Sequence, residues 1–267
     1  MKLIADTQKI IEQFIQTRVN DAGAKGVVLG LSGGIDSAVT LSLAVSALGS
    51  ENVFGLIMPF NKSESITLAL DHAKKLGVNT IEYNISEIVS SFKEVSNTYS
   101  TKAAEGNLHS RIRMSLLYGK AFSSNYLVIG TSNKSELLIG YYTKWGDGAS
   151  DFLPIGDLYK SQVYELSKDL EVPLKIINRP PTAELWEGQT DESELGIDYL
   201  TLDQILLGLE RQIPKKDLSL KRSIGLDLII KIDNLIKSSI HKRVFPPVCK
   251  IGRRTVGLDW RETRGSK

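Results

Sequence analysis

The sequence predicts an α/β fold, a parallel sheet with helices on both faces. Strand-length apolar runs alternate with helical patterns from residue 26 to residue 97, in the order β-α-β-α-β-α. The runs Gly26–Leu31 and Asn52–Pro59 are continuously apolar, as strands covered on both faces are. The first run ends in Ser32-Gly33-Gly34 directly before a helical pattern, and open α/β sheets bind ligands at such a strand end.

Each element has its own warrant. Ile4, Ile10, Ile11, Phe14, Ile15 and Val19 fall near helical spacing and predict an amphipathic leading helix. After the first strand, Ala38, Val39, Leu41, Leu43, Ala44 and Leu48 mark a helix from Asp36 that Gly49 stops. Asn52–Pro59 is the second strand. A helix opening at Ser63 or Ser65 runs to Leu76 and closes at Gly77. Asn79–Tyr83 is a third strand, followed by a helix over Ser86–Asn97. Asn107–Ser123 reads as a long helix carrying Arg111 and Arg113. Tyr126–Thr131 is a fourth strand, followed by a short helix over Asn133–Ile139. Tyr142–Asp151 holds too many glycines and polar groups for a packed element and reads as a loop over the active site. Ser161–Leu170 is helical, and Asn178–Thr182 is extended because residues before proline avoid the helical region. Helices over Leu200–Leu209 and Gly225–Ile240 precede an irregular basic tail from Gly252. The whole is a Rossmann-like arrangement with right-handed crossovers.

Composition bounds the function. With 42% hydrophobic and 24% charged residues, the 267-residue chain reads as one globular domain over 1–267, with C-terminal helices and a basic tail from about 200. A formal charge of +2 argues against a nucleic-acid binder, although Lys221-Arg222, His241-Lys242-Arg243 and Arg253-Arg254 crowd the last quarter. Cys249 is the only cysteine, which excludes an intrachain disulfide, a CxxC redox pair and a cysteine zinc site. The start Met1–Asp6 lacks the signal-peptide pattern, and no apolar run is long enough for a bilayer. No membrane partner is expected, and the expected compartment is cytoplasmic.

The stretch Gly30-Leu31-Ser32-Gly33-Gly34-Ile35-Asp36-Ser37 is a phosphate cradle. Its glycines let backbone N–H groups approach an anion, and the helix behind them presents unpaired donors and a partial positive charge. The hydroxyls of Ser32 and Ser37 add two donors. The lysine of GxxxxGK[ST] and the spacing of GxGxxG are both missing. In their place stands Asp36, and a carboxylate beside a polyphosphate requires a cation between them, so the loop implies Mg²⁺. As helix caps alone, Asp36 and Ser37 would need no ligand.

Ser32-Gly33-Gly34-x-Asp36-Ser37 resembles the pyrophosphate loop of the ATP pyrophosphatase superfamily, which splits ATP into AMP and pyrophosphate on an adenine nucleotide alpha hydrolase-like fold. Within it, the chain resembles the NAD synthetases through Asn107–Met114, Gly130–Glu136, Tyr142–Asp151, Pro154–Val163, Pro180–Glu192 and His241-Lys242-Arg243. The pattern departs at Thr182, where serine is frequent, and at Ser150, where alanine is frequent. After Pro247 it is looser, and no role is carried onto the tail.

The resemblance implies a ligase that closes NAD biosynthesis. The carboxylate of nicotinic acid adenine dinucleotide (deamido-NAD) attacks the α-phosphorus of ATP, and ammonia displaces AMP from the acyl adenylate. It implies that Thr131, Lys160 and Thr182 join the loop in binding ATP, with Lys160 neutralising phosphates or the leaving pyrophosphate. Glu136 would share Mg²⁺ with Asp36; the bland alternative is a capping box with Ser132 or Asn133. Arg111, Lys144, Asp151, His241 and Lys242 would bind deamido-NAD, with His241, Lys242, Arg243 and Arg111 reading its phosphates, and Asp151 has a second reading as the group that orients ammonium and takes its proton. A homodimer sharing this site is implied too. Two other classes share the loop or the architecture. Sulfur-relay tRNA ligases usually need paired cysteines, which this chain lacks. A non-catalytic nucleotide sensor would have no use for the two acids.

Overall fold

The structure is a computed structural model that describes residues 1–61, 63–182 and 189–256. The part of the Pro180–Glu192 motif over 183–188, with Glu184, Trp186 and Gly188, lies outside the described residues, as does the tail from 257.

Strands β1 (Gly26–Gly30), β2 (Val53–Ile57), β3 (Asn79–Glu82) and β4 (Tyr126–Val128) form one parallel sheet in the order β3-β2-β1-β4. Val27 pairs with Val53 on one side and with Leu127 on the other. The chain steps outward from β1 to β3 and then crosses to the far side of β1 for β4. The switch point between β1 and β4 leaves a crevice at their carboxyl ends.

The helices follow in order: α1 (Thr7–Asp21), α2 (Ile35–Leu48), α3 (Glu64–Lys75), α4 (Ser86–Val95), α5 (Lys102–Ser124), α6 (Lys134–Ile139) and α7 (Lys160–Asp169). Beyond them come α8 (Leu174–Ile177), α9 (Asp191–Leu195), α10 (Tyr199–Glu210), α11 (Lys215–Arg222), α12 (Leu226–Ser238) and α13 (Ile240–Arg243). Alternation along β1 separates two cores. Val27 and Leu29 pack with Ile15, Leu41 and Leu166 on the α1, α2 and α7 side. Val28 packs with Leu56, Val89, Ile112 and Leu117 on the α4 and α5 side. A third cluster, with Ile139, Tyr159, Leu202, Ile205, Ile229 and Ile232, joins α6 to α10 and α12.

Several expected boundaries moved. The buried face of α1 is Thr7, Ile11, Ile15 and Val19, a run of i, i+4 steps, whereas Ile4, Ile10 and Phe14 are exposed. Ile4 precedes the helix, and Ile10 sits 100° around it from Ile11. Helix α5 begins at Lys102, five residues before the expected Asn107, because Thr101 caps it by accepting from Ala104 N at 3.2 Å. The fourth strand is three residues long, and Ile129 pairs instead with Phe152 of the following loop. The helix expected over Ser86–Asn97 stops at Val95, and that over Gly225–Ile240 stops at Ser238 before α13.

Candidate active site

Residues after β1 turn sharply into α2. Gly33 has φ +74°, and a Cβ there would lie 2.3 Å from the Ser65 carbonyl oxygen, so only glycine fits the turn. Gly34 is the N-cap of α2, and the N–H groups of Ile35, Asp36 and Ser37 fall in its first turn, where no intrahelical acceptor exists. The two serine hydroxyls are partly spent on the loop itself. Ser37 Oγ donates to the Gly34 carbonyl at 2.9 Å, and Ser32 Oγ lies 3.2 Å from Ser37 Oγ and accepts from Gly34 N. They shape the cradle before they serve a ligand.

A cavity of about 1060 Å³ opens over this turn, lined by Gly30, Leu31, Ser32, Gly34, Ile35, Asp36 and Ser37 and by Thr131, Glu136, Lys160, Thr182 and Lys242. The volume is at the upper end for a small-molecule site. Three charged groups meet on its floor. Lys160 Nζ donates to Asp36 Oδ2 and, at 3.2 Å, to Glu136 Oε1. Burial alone would lower the Lys160 pKa, but Asp36 and Glu136 reverse this and raise it, so the ammonium stays charged. Burial and the Asp36 carboxylate push the Glu136 pKa up, more than Lys160 pulls it down. The capping box expected as the alternative for Glu136 is present. Its Oε2 accepts from Asn133 N at 3.2 Å while Asn133 Oδ1 accepts from Glu136 N at 3.0 Å, a complete capping box. The other carboxylate oxygen still faces Lys160. Asn133 also donates from Nδ2 to Asp36 Oδ1 at 2.9 Å, tying the loop after β4 to the loop after β1.

The two carboxylates fit a magnesium ion that keeps most of its ligands as phosphate and water oxygens. Among the described residues no cluster of three or more His, Cys, Asp or Glu could form an all-protein metal cage.

The expected acceptor residues lie along one rim. Arg111 Nε donates to the Lys144 carbonyl at 3.4 Å, and Lys144 Nζ donates to the His241 carbonyl at 2.8 Å. Lys242 Nζ donates to the carbonyls of Gly140 and Tyr142, each at 2.7 Å. Asp151 Oδ2 accepts from Val128 N at 2.7 Å and Oδ1 from Tyr118 Oη at 3.2 Å, on the face of α5 that also carries Arg111. Lys242 lines the cavity wall; Arg111, Lys144, Asp151 and His241 stand outside that wall. Arg243 is spent on structure: its guanidinium donates to the carbonyls of Leu137, Leu138 and Ile236 and to Ser239 Oγ. It fastens the C-termini of α6 and α12, as Lys144 and Lys242 fasten main-chain carbonyls of the rim.

Sequence reasoning missed several groups. Arg113 lines the cavity and donates from Nε to the Met58 carbonyl at 2.9 Å. Two residues along a helix are about 200° apart, so Arg111 and Arg113 face opposite ways, a signal available once the buried stripe Leu108, Ile112, Leu117 and Ala121 is drawn. Asp191, in the cavity lining, accepts from Tyr141 Oη at 3.2 Å and Tyr199 Oη at 3.1 Å, and burial raises its pKa. Asp203 is fully buried and accepts from Ser135 Oγ and from Ser161 N at 2.8 Å, fixing α6 and α7 and therefore Glu136 and Lys160.

Fold and site together define a nucleotide-binding α/β enzyme with an acidic pyrophosphate loop. The chain belongs to the NAD synthase family, whose model matches residues 7–246. It is 45% identical over 245 residues to the NH(3)-dependent NAD(+) synthetase of Thermococcus sibiricus, covering 90% of this chain and 96% of that one. Among solved structures, the NMN synthetase of Francisella tularensis superposes with a TM-score of 0.80 at 35% identity, covering 92% of this chain and 98% of that one. The NH3-dependent NAD synthetase of Campylobacter jejuni, in complex with nitrate, gives 0.78 at 36% identity, with the same coverage.

Proposed function

We propose that this chain forms NAD from deamido-NAD, ATP and ammonia, releasing AMP and pyrophosphate. One observation carries the reading: Asp36, Glu136 and Lys160 converge beside the unpaired amides of an SGGxDS turn. Similarity to synthetases named for ammonia and NAD supports it.

In this reading the α2 N-terminus and the loop amides orient the triphosphate in line with the nicotinate carboxylate. A carboxylate oxygen bonds to the α-phosphorus as the bond to pyrophosphate breaks. Lys160 offers its charge to that leaving group. Asp36 and Glu136 would hold Mg²⁺, which would supply further neutralisation of the same charge. Thr131 and Thr182, at the cavity edge, bind the rest of ATP. Ammonia then attacks the acyl carbon, the bond to AMP breaks, and nitrogen loses a proton. Arg111, Lys144, His241 and Lys242 form the acceptor's phosphate-binding rim, with Asp151 beside them for the ribose or the ammonium.

Residues 1–267 act in this reading as one domain, cytoplasmic and paired in a homodimer. The outward rim, exposed Trp145 and the exposed Phe122 on α5 support a site completed by a second copy. Among the described residues no helix is long and apolar enough to cross a membrane.

The test is mass spectrometry of products from ATP, Mg²⁺ and ammonium with deamido-NAD or with its mononucleotide, nicotinic acid mononucleotide. NAD, AMP and pyrophosphate are expected. Likeness to a structure named NMN synthetase makes the mononucleotide the competing acceptor. Amidation of the mononucleotide alone would replace the acceptor, and ATP bound without AMP release would make the chain a sensor.

A further inference from the structure

The Lys160 ammonium lies where any cation shared by Asp36 and Glu136 has to lie. It bonds Asp36 Oδ2 and Glu136 Oε1, and its side chain is 2% exposed. The other oxygen of each carboxylate is already held by Asn133, through Nδ2 for Asp36 and through the backbone N–H for Glu136. The two oxygens turned toward the shared space are therefore the two that Lys160 holds. Its place in the helix and its burial both disfavour a lysine there. It opens α7, where the helix dipole opposes a cation, and burial opposes its charge. The Tyr199 ring, 4.9 Å from Nζ, backs it on the remaining side. Asp36 and Glu136, the two carboxylates that bond it, are the main hold on the ammonium, with Asp191 adding to it at longer range.

We propose that Lys160 is an internal counter-ion that competes with the divalent cation for Asp36 and Glu136, so the metal binds well only when a triphosphate draws the ammonium away. The proposal rests on the reading of those two acids as the metal's holders. Magnesium takes oxygens at about 2.0–2.1 Å. At that range from Oδ2 and Oε1 it would stand against an ammonium bonded to the same atoms, and the two charges repel. A polyphosphate in the cradle gives the ammonium a second anionic partner across the cavity. Metal and nucleotide then enter as a unit, and the lysine moves onto the group that later leaves.

The test uses Mn²⁺ alone, followed by electron paramagnetic resonance, on the full chain without nucleotide. A neighbouring charge at this distance ordinarily shifts a binding equilibrium by about one to three log units, so Lys160→Met should bind Mn²⁺ at least roughly tenfold tighter than wild type. ATP should then improve Mn²⁺ binding in wild type far more than in the variant. Lys160→Gln serves as a second neutral replacement that keeps a hydrogen-bond donor. Wild type itself gives a readout independent of any variant: saturating Mn²⁺ should speed reductive methylation of Lys160 and of no other lysine, and an unchanged rate would count against competition. Equal Mn²⁺ affinity in folded wild type and both variants, lost in Asp36→Asn, would overturn the competition and leave the metal reading standing. Undiminished Mn²⁺ binding by Asp36→Asn would remove the metal reading and the proposal with it.

Discussion

Asp36 does two jobs with two oxygens: one fixes the loop to Asn133, the other faces Lys160. Asp36→Asn keeps the shape and removes the charge. We expect kcat/KM for NAD formation to fall by at least about 10²-fold, the scale of losing one electrostatic contact to a leaving group, with the circular dichroism spectrum unchanged. Near-normal Mg²⁺-dependent turnover would remove Asp36 from the metal site. His109 on α5 shows a different residue-scale effect. Its ring is buried against Phe60 with centroids 4.3 Å apart, and neither ring nitrogen has a hydrogen-bond partner. Burial first, then Arg113, lowers its pKa from 6.5 to about 4, against the pull of Glu105. A depressed pKa contributes stability that is full above the unfolded value and is lost as pH falls through the folded one. Between pH 6.5 and 4 the unfolded chain takes up a proton that the folded chain refuses. The loss reaches about 3 kcal/mol at the acid end. Calorimetry of wild type and His109→Phe across this range should show a shallower fall of Tm in the variant; parallel curves would mean that His109 is not the group.

The turn from β1 into α2 is the element on which the site depends, and its two glycines differ. Gly33 has a positive φ and no room for a Cβ, whereas Gly34 has φ −88° and its nearest neighbour would be Ser32 Oγ at 3.3 Å. Gly33→Ala should therefore cost at least about 1–2 kcal/mol from backbone conformation alone and weaken ATP binding at least tenfold. Gly34→Ala, at an ordinary φ and close only to a side-chain hydroxyl, should cost clearly less thermal stability than Gly33→Ala by calorimetry. Equal behaviour of the two would refute the geometry of the turn. This turn was legible in the sequence because strand, glycines and helix are contiguous, and the apolar runs of β1 and β2 were legible for the same reason. Elements without apolar periodicity were not. The first turn of α5, Lys102-Ala103-Ala104-Glu105, carries no large apolar residue, and α8, α9 and α11 are too short to show a repeat. Arg243 was unreadable for another cause. Its partners are main-chain carbonyls of α6 and α12, and a sequence does not show which carbonyls a fold leaves over. Asp36 was readable from the loop itself and Glu136 and Lys160 by family resemblance, but their mutual contact needed three elements brought together.

At the scale of the molecule, the site sits where the cores meet. Asp36 leaves the end of β1 on the α1–α2 side, Glu136 belongs to α6, which feeds Ile139 into the third cluster, and Lys160 opens α7 between Tyr159 and Val163, one in each. Rigid packing on both sides holds the three charges together, and Asp203 locks the junction from α10. In the proposed reaction nitrogen arrives as ammonia, and its source is a question for the whole chain. Releasing ammonia from glutamine needs a nucleophile activated by an adjacent base and a pocket around it. Cys249 is the only cysteine in the chain, and it is free and exposed. We therefore expect the purified chain to make NAD from ammonium and none from glutamine, and Cys249→Ser to keep its full ammonium-dependent rate. The measurement is NAD formed at equal concentrations of the two donors, by chromatography. Glutamine-supported synthesis that disappears in Cys249→Ser would show that the thiol is a working nucleophile and that a second site operates outside the nucleotide crevice.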